Sequence, residues 1–144
     1  MGTGSARGPD PTRIGKRMAF RVLVVDDSKL ARMAVAKALN ALRPDWIRVE
    51  ASNADEAMAL VRQEPVQMAL LDFNMPGRDG LTLASELRAL DPVMPVAVIS
   101  ANHQEEVVIR AREVGTTFLP KPLTEQAMSA FLDQAAPTSR SDQR

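Results

Sequence analysis

Stretches of two kinds alternate along this chain, and their alternation limits the fold more than any other feature. Five runs have the length of β-strands, and each is followed by a segment in which apolar residues recur at helical spacing. Continuous apolar runs are typical of strands that are buried on both faces of a sheet. The predicted strands are 21–25, 46–51, 66–71, 95–99 and 116–119. This rhythm predicts an α/β fold with parallel strands and right-handed crossovers.

The length and composition indicate one folded domain with two short tails. The chain has 144 residues, of which 45% are hydrophobic and 25% are charged, as in ordinary soluble domains. We expect a flexible leader at 1–17, which is rich in Gly, Pro and small polar residues. We expect the folded domain at 18–135 and a flexible polar tail at 136–144.

Charge and residue usage exclude several kinds of site and partner. Eighteen basic and eighteen acidic side chains cancel, so no overall field favours nucleic acid or an anionic membrane. Cysteine is absent, which excludes disulfides and thiolate metal sites. The sequence has no apolar run long enough for a membrane span and no signal-peptide core. We therefore expect a cytoplasmic protein that binds neither nucleic acid nor membrane.

Acidic, hydroxyl and basic side chains follow the predicted strands where each one ends. They are, in chain order, Asp26, Asp27, Asp72, Ser100 and Lys121. The carboxyl ends of parallel strands lie at the same end of a sheet, where such folds place their ligands. Three acids that lie close together repel one another, and a hard divalent cation such as Mg²⁺ removes that repulsion. Asp72 is then the natural nucleophile, because a carboxylate can accept a phosphoryl group as an acyl phosphate.

These residues, in their order and spacing, resemble the receiver domain of two-component response regulators. The motifs that carry the resemblance are Asp26-Asp27, the turn DFNMPGRDG at 72–80, Ser100-Ala101 and Lys121-Pro122. The resemblance covers about 20–134, and taken together the motifs are highly specific. It implies a flavodoxin-like receiver fold, which is a doubly wound five-stranded parallel sheet in the order 2-1-3-4-5.

The resemblance also implies which residues accept the phosphoryl group and hold the metal. Asp72 is expected to be the phosphoacceptor. The direct Mg²⁺ ligands are expected to be Asp27, Asp72 and the backbone carbonyl of Asn74. Asp26 is expected to act on the metal mainly through bound water.

Further residues are implied in binding the phosphoryl group and in switching. Lys121 is expected to pair with a phosphoryl oxygen, and Ser100 to move toward the new phosphoryl group beside the small Ala101. Phe118 occupies the switch position, and its inward turn would couple the site to the surface of helix four, strand five and helix five. The bond between Lys121 and Pro122 is expected to be cis.

A receiver of this kind takes its phosphoryl group from a histidine kinase or a histidine phosphotransfer protein. It would then pass the signal to an unknown protein target and would catalyse only its own phosphoryl acceptance and autodephosphorylation. No output domain is predicted after the last helix, so we expect a stand-alone regulator. A receiver cut from a larger protein is the alternative.

Other functions remain open. One is a receiver that only docks to partners without being phosphorylated. A Mg²⁺-dependent phosphatase of the haloacid dehalogenase type also uses an Asp nucleophile, but on the first strand and with a second Asp where this chain has Asn74. A nucleotide or flavin binder would need a glycine-rich turn after the first strand, which the sequence lacks. His103, the only histidine, is expected to be a solvated loop residue and not a relay phosphodonor.

Overall fold

The computed structural model describes residues 19–135, so the predicted leader and tail lie outside the described residues. Within this range, five strands alternate with five helices, as the sequence predicts. The strands are β1 (Arg21–Val25), β2 (Ile47–Ala51), β3 (Met68–Asp72), β4 (Val96–Ser100) and β5 (Thr117–Pro120). The helices are α1 (Lys29–Leu42), α2 (Ala54–Gln63), α3 (Gly80–Leu90), α4 (Glu105–Val114) and α5 (Glu125–Ala135). None of these helices combines the length and the apolar character needed to cross a membrane.

The five strands form one parallel sheet in the order β2-β1-β3-β4-β5. This order confirms the doubly wound, flavodoxin-like fold that the resemblance implied. Where β1 pairs with β3, Val25 lies opposite Leu71, so the residues that follow them, Asp26 and Asp72, occupy neighbouring positions. We call the end of the sheet where Asp26 and Asp72 lie the carboxyl end, and the opposite end the amino end.

Two apolar cores lie on the two faces of the sheet. On one face, Val35 and Leu39 of α1 pack with Met128 and Leu132 of α5. On the other face, α2, α3 and α4 pack against the sheet, with Leu83 among the fully buried residues. The strands β3 and β4 are buried along their whole length, which explains why their sequences are continuous apolar runs. Each fully buried Leu or Val contributes about 1.5–3 kcal/mol, so the cores hold the strand ends firmly in place.

Side chains cap three of the helices that begin at the carboxyl end of the sheet. Ser28, Asn53 and Asp79 each cap a helix by accepting the backbone N–H of the third residue further along. The helix α4 begins after Gln104, whose side chain makes no capping hydrogen bond. It ends at Gly115, which has a φ of 84° and therefore the left-handed conformation that glycine adopts easily. The three caps fix the first turns of α1, α2 and α3, which begin at the carboxyl end.

The third strand is shifted along the chain from its predicted position at 66–71. It begins at Met68 and ends at Asp72, because Asp72 still pairs with Ile99 of the neighbouring strand. Val66 is buried although it lies outside the strand. The shift makes Asp72 the last residue of β3 and not the first residue of a loop, so the sheet itself holds its backbone.

Candidate functional site

Three aspartates gather at the carboxyl end of the sheet. Asp26 and Asp27 directly follow β1, and Asp72 ends the neighbouring strand β3. One carboxylate oxygen from each of the three lies within 4.8 Å of the other two. Asp26 and Asp72 are buried, whereas Asp27 is exposed. The parallel pairing of β1 and β3 is therefore what brings the acids together, as the sequence predicts.

The buried acid Asp26 is in an unfavourable environment when no cation is bound. Burial raises the pKa of Asp26 above its ordinary value, and repulsion by Asp72 and Asp27 adds to the rise. The backbone N–H of Ser28, which donates to Asp26 Oδ1 at 2.9 Å, opposes the rise without cancelling it. A bound cation would favour the ionised form of this carboxyl group.

Lys121 supplies the positive charge that faces Asp72. Its Nζ donates a hydrogen bond to Asp72 Oδ1 at 2.8 Å, where the Asp72 side chain is only 5% exposed. Burial alone would lower the pKa of Lys121, but the hydrogen bond and the negative charge of Asp72 outweigh it and raise the pKa. Lys121 thus stays protonated beside the carboxylate. The peptide bond from Lys121 to Pro122 is cis.

Ser100 and Ala101 lie at the end of β4, on the far side of Asp72 from β1. The Ser100 side chain is buried, and its Oγ accepts the backbone N–H of Asn102 at 2.9 Å. Ala101 is exposed, and Asn102 Oδ1 in turn accepts the N–H of Gln104 at 2.9 Å. The Ser100 hydroxyl thus belongs to a chain of hydrogen bonds that runs through Asn102 to the start of α4.

Phe118 lies on β5 opposite Val98 and packs against the core on the α2, α3 and α4 face. His103 is exposed, as expected, but its ring also meets Phe118 edge-on, with centroids 5.6 Å apart and an interplanar angle of 89°. The expectation of a merely solvated loop histidine was therefore incomplete. No sequence pattern indicates this contact, because the packing of the fold brings a loop residue against a strand residue.

Asn74 lies in the loop between β3 and α3, two residues after Asp72, and is exposed. The next helix begins at Gly80, where a Cβ atom would collide with the backbone carbonyl oxygen of Asp72. A side chain at this position would push the loop away from the acids. The turn motif at 72–80 did not indicate this packing requirement, because the requirement depends on how the start of α3 packs against the end of β3.

Arg32 is a second residue near the acids that no sequence motif singled out. Its Nη1 donates to the backbone carbonyl of Asp26 at 2.6 Å, and its Nε donates to Glu50 Oε1 at 3.2 Å. It therefore joins α1 to the end of β1 and to β2 next to the acids.

The acidic cluster offers ligands that suit one class of metal ion. All three side chains present carboxylate oxygens, which are the donors that Mg²⁺ and Ca²⁺ prefer. The cluster contains neither histidine nor cysteine, so it does not match the usual zinc sites. The residues present thus fit the Mg²⁺ that the resemblance implies.

Comparison with protein families and curated proteins identifies relatives of this chain. A model of the response regulator receiver domain matches residues 22–133. The positive alginate biosynthesis regulatory protein of Pseudomonas aeruginosa is 35% identical over 125 residues, covering 84% of this chain and 49% of that protein. The nitrate/nitrite response regulator protein NarL of Escherichia coli is 33% identical over 117 residues, covering 80% of this chain and 54% of NarL. The chain spans about half the length of these relatives, which are regulatory proteins.

Solved structures show the same fold. The chemotaxis protein CheY4 of Vibrio cholerae has a TM-score of 0.74 and 23% identity, covering 82% of this chain and 99% of CheY4. The complex of CheX, CheY, BeF₃ and Mg²⁺ from Borrelia burgdorferi gives a TM-score of 0.73 and 25% identity, covering 84% of this chain and 92% of that one. Because the family model covers most of its length, the chain belongs to the response regulator receiver domain family of two-component signalling.

Proposed function

We propose that this chain is a phosphoacceptor that takes a phosphoryl group onto Asp72 from a histidine kinase or a histidine phosphotransfer protein. One observation carries the proposal. The Asp72 carboxylate, buried at the end of a central strand, meets the Lys121 ammonium group at 2.8 Å and shares its surroundings with two further aspartates. Among the three acids, Asp72 is the one paired with Lys121.

The transfer requires little covalent chemistry from the protein. A carboxylate oxygen of Asp72 attacks the phosphorus of the phosphohistidine, and a new O–P bond forms as the P–N bond breaks. The leaving ring nitrogen keeps the electron pair, and Asp72 becomes an acyl phosphate. The Lys121 ammonium, already within hydrogen-bond distance of Asp72, can then hold an oxygen of the phosphoryl group.

We propose that Asp26, Asp27, Asp72 and the backbone carbonyl of Asn74 hold Mg²⁺ for this reaction, with Asp26 acting mainly through bound water. The carboxylate donors of the cluster support this ion. So does the Mg²⁺ named in the complex of the related CheY from Borrelia burgdorferi. Bound Mg²⁺ would offset the negative charge of the phosphoryl oxygens, which Asp72 would otherwise repel.

The signal would leave the site through Ser100, which lies beside the small Ala101, and through Phe118. If the Ser100 hydroxyl turned toward the phosphoryl group, the Asn102 N–H that it accepts at 2.9 Å would lose this partner. The loop that follows carries His103, which contacts Phe118. A change in this loop would therefore reach the surface formed by α4, β5 and α5, which we propose as the binding surface for a downstream protein.

Intact mass after incubation with a small phosphodonor tests the proposal. With Mg²⁺ present, the wild type is expected to gain the mass of one phosphoryl group, in a bond that hydrolyses readily. Neither Asp72→Asn nor wild type without divalent cations should show this gain. Asp45→Asn is the matched control, because Asp45 is an exposed aspartate outside the cluster, and it should gain the phosphoryl group like the wild type.

Two results would replace the proposal with another function. If no donor modified the wild type, including a phosphorylated histidine phosphotransfer protein, the chain would be a receiver that only docks. Steady turnover of unrelated phosphate esters, abolished in Asp72→Asn, would instead indicate a phosphatase.

A further inference from the structure

Backbone hydrogen bonds hold the two ends of the loop between Asp72 and Gly80: Phe73 N–H donates to the Ile99 carbonyl at 2.9 Å, and Gly80 N–H donates to the Phe73 carbonyl at 2.9 Å. The loop carries Asn74, the proposed carbonyl ligand of the metal. Within residues 19–135, the backbone groups from Asn74 to Arg78 make no hydrogen bond. The side chain of Met75 is buried and anchors the apolar side of the loop. The polar contacts that hold the middle of this loop therefore come from its side chains.

Arg78 makes two of these contacts. Its Nη2 donates to Asp55 Oδ1 on α2 at 2.6 Å, and its Nη1 donates to Glu86 Oε2 on α3 at 2.9 Å. A guanidinium group holds such a double contact better than a flexible ammonium group, because its donors are fixed in one plane. A single side chain thus ties the loop to the two helices on either side of it.

The two ion pairs of Arg78 should differ in how strongly they hold the loop. The Asp55 side chain is 92% exposed, so solvent screens its attraction to Arg78. The Glu86 side chain is only 35% exposed, and its Oε1 is buried without a hydrogen-bond partner among the described residues. Glu86 therefore relies on Arg78 for its charge compensation, and the pair with Glu86 is the stronger fastening.

We propose that Arg78 is a positioning residue for the metal site. It holds the loop at 73–79 so that the Asn74 carbonyl stays available to the cation bound by the three aspartates. The inference rests on the proposed function, because it assigns Arg78 a part in the same Mg²⁺ site. Partners that orient metal ligands without touching the metal typically change affinity by 10–100-fold when removed, and we expect about tenfold here.

Calorimetric titration of the unphosphorylated full chain with Mg²⁺ tests this inference without depending on phosphoryl transfer. Arg78→Ala is expected to raise the Kd for Mg²⁺ about tenfold, Arg78→Lys to raise it less, and Asp55→Asn to change it little. Arg43→Ala is the matched control. Arg43 also makes a short ion pair, at 2.7 Å to Asp133, but at the amino end of the sheet, and its loss should leave the Kd unchanged.

A double variant separates positioning from general stability. Arg78→Ala alone leaves Glu86 partly buried without a partner, which lowers Tm. Adding Glu86→Gln removes that unpaired charge, so Arg78→Ala/Glu86→Gln should regain much of the lost Tm while the Mg²⁺ affinity stays weak. This variant also provides the test if Arg78→Ala does not fold.

Two results would overturn the inference. One is wild-type Mg²⁺ affinity in Arg78→Ala or in the double variant. The other is recovery of affinity together with Tm in the double variant, which would make Arg78 structural only. After either result, the proposed function would still stand if the wild type bound Mg²⁺ and gained the phosphoryl group. A wild type that bound no Mg²⁺ would remove the proposed metal site and the inference together.

Discussion

The amino end of the sheet is closed by aromatic packing and a satisfied ion pair, whereas the carboxyl end gathers acids that repel one another. At the amino end, Phe20 stacks on Trp46 with ring centroids 4.1 Å apart. The guanidinium of Arg43 lies 5.5 Å from the centroid of the Trp46 ring and also pairs with Asp133 at 2.7 Å. Each of these contacts favours the folded chain without any ligand.

The carboxyl end has the opposite character. Three aspartates share one region, and among residues 19–135 the ammonium group of Lys121 is the only one that hydrogen-bonds to any of them. Burial and repulsion raise the pKa of Asp26, which shows that its ionised form is disfavoured there. The difference teaches that one end of the sheet stabilises the fold, while the other gathers repelling charges that a bound cation would relieve.

The largest effect expected from this comparison concerns the amino end. Trp46→Ala should lower the free energy of unfolding by about 2–3 kcal/mol, because the stacking on Phe20 and the contact with Arg43 are lost together. Urea denaturation followed by circular dichroism measures the loss. The Mg²⁺ affinity of the folded variant should match that of the wild type. A stability unchanged by this substitution would contradict the role given to the amino end.

A smaller effect of opposite sign is expected at the carboxyl end. Asp26→Asn removes one of the repelling charges but keeps an oxygen that can accept the Ser28 N–H. Without divalent cations, it should therefore raise the free energy of unfolding by about 1 kcal/mol, while weakening Mg²⁺ binding. Asp45→Asn, an exposed site, should change neither quantity. If Asp26→Asn were less stable than the wild type, the acids would not be in conflict.

The smallest effect is the pH dependence of that gain. Because the pKa of Asp26 is raised in the folded chain, the native state binds this proton more tightly than the unfolded state does. Above the raised pKa, ionised Asp26 therefore lowers the stability of the folded chain, and this loss of stability disappears as the pH falls through the raised pKa. The stability difference between Asp26→Asn and wild type should be full at about pH 7 and shrink toward about pH 4. A difference that grew on acidification would contradict this sign.

The sequence alone predicted the features that depend on strand order and chain direction. The sequence predicts that Asp26, Asp72 and Lys121 lie near one another, because the carboxyl ends of parallel strands all lie at the same end of the sheet. The hydrogen bond from Arg32 to the Asp26 carbonyl could not be predicted, because it depends on how far a side chain reaches from α1. Gly80 was likewise seen only as a turn residue, since its close approach to the Asp72 carbonyl exists only in the packed fold.

Chemical trapping of the modified residue tests the central claim most directly. Borohydride reduces an acyl phosphate to an alcohol, so a phosphorylated aspartate becomes homoserine. After phosphorylation with Mg²⁺ present, peptide mass spectrometry should find homoserine at position 72 and unmodified aspartate at Asp26 and Asp27. Homoserine at either of those two positions, or a stable phosphate on a hydroxyl such as that of Ser100, would contradict the assignment of Asp72 as the phosphoacceptor.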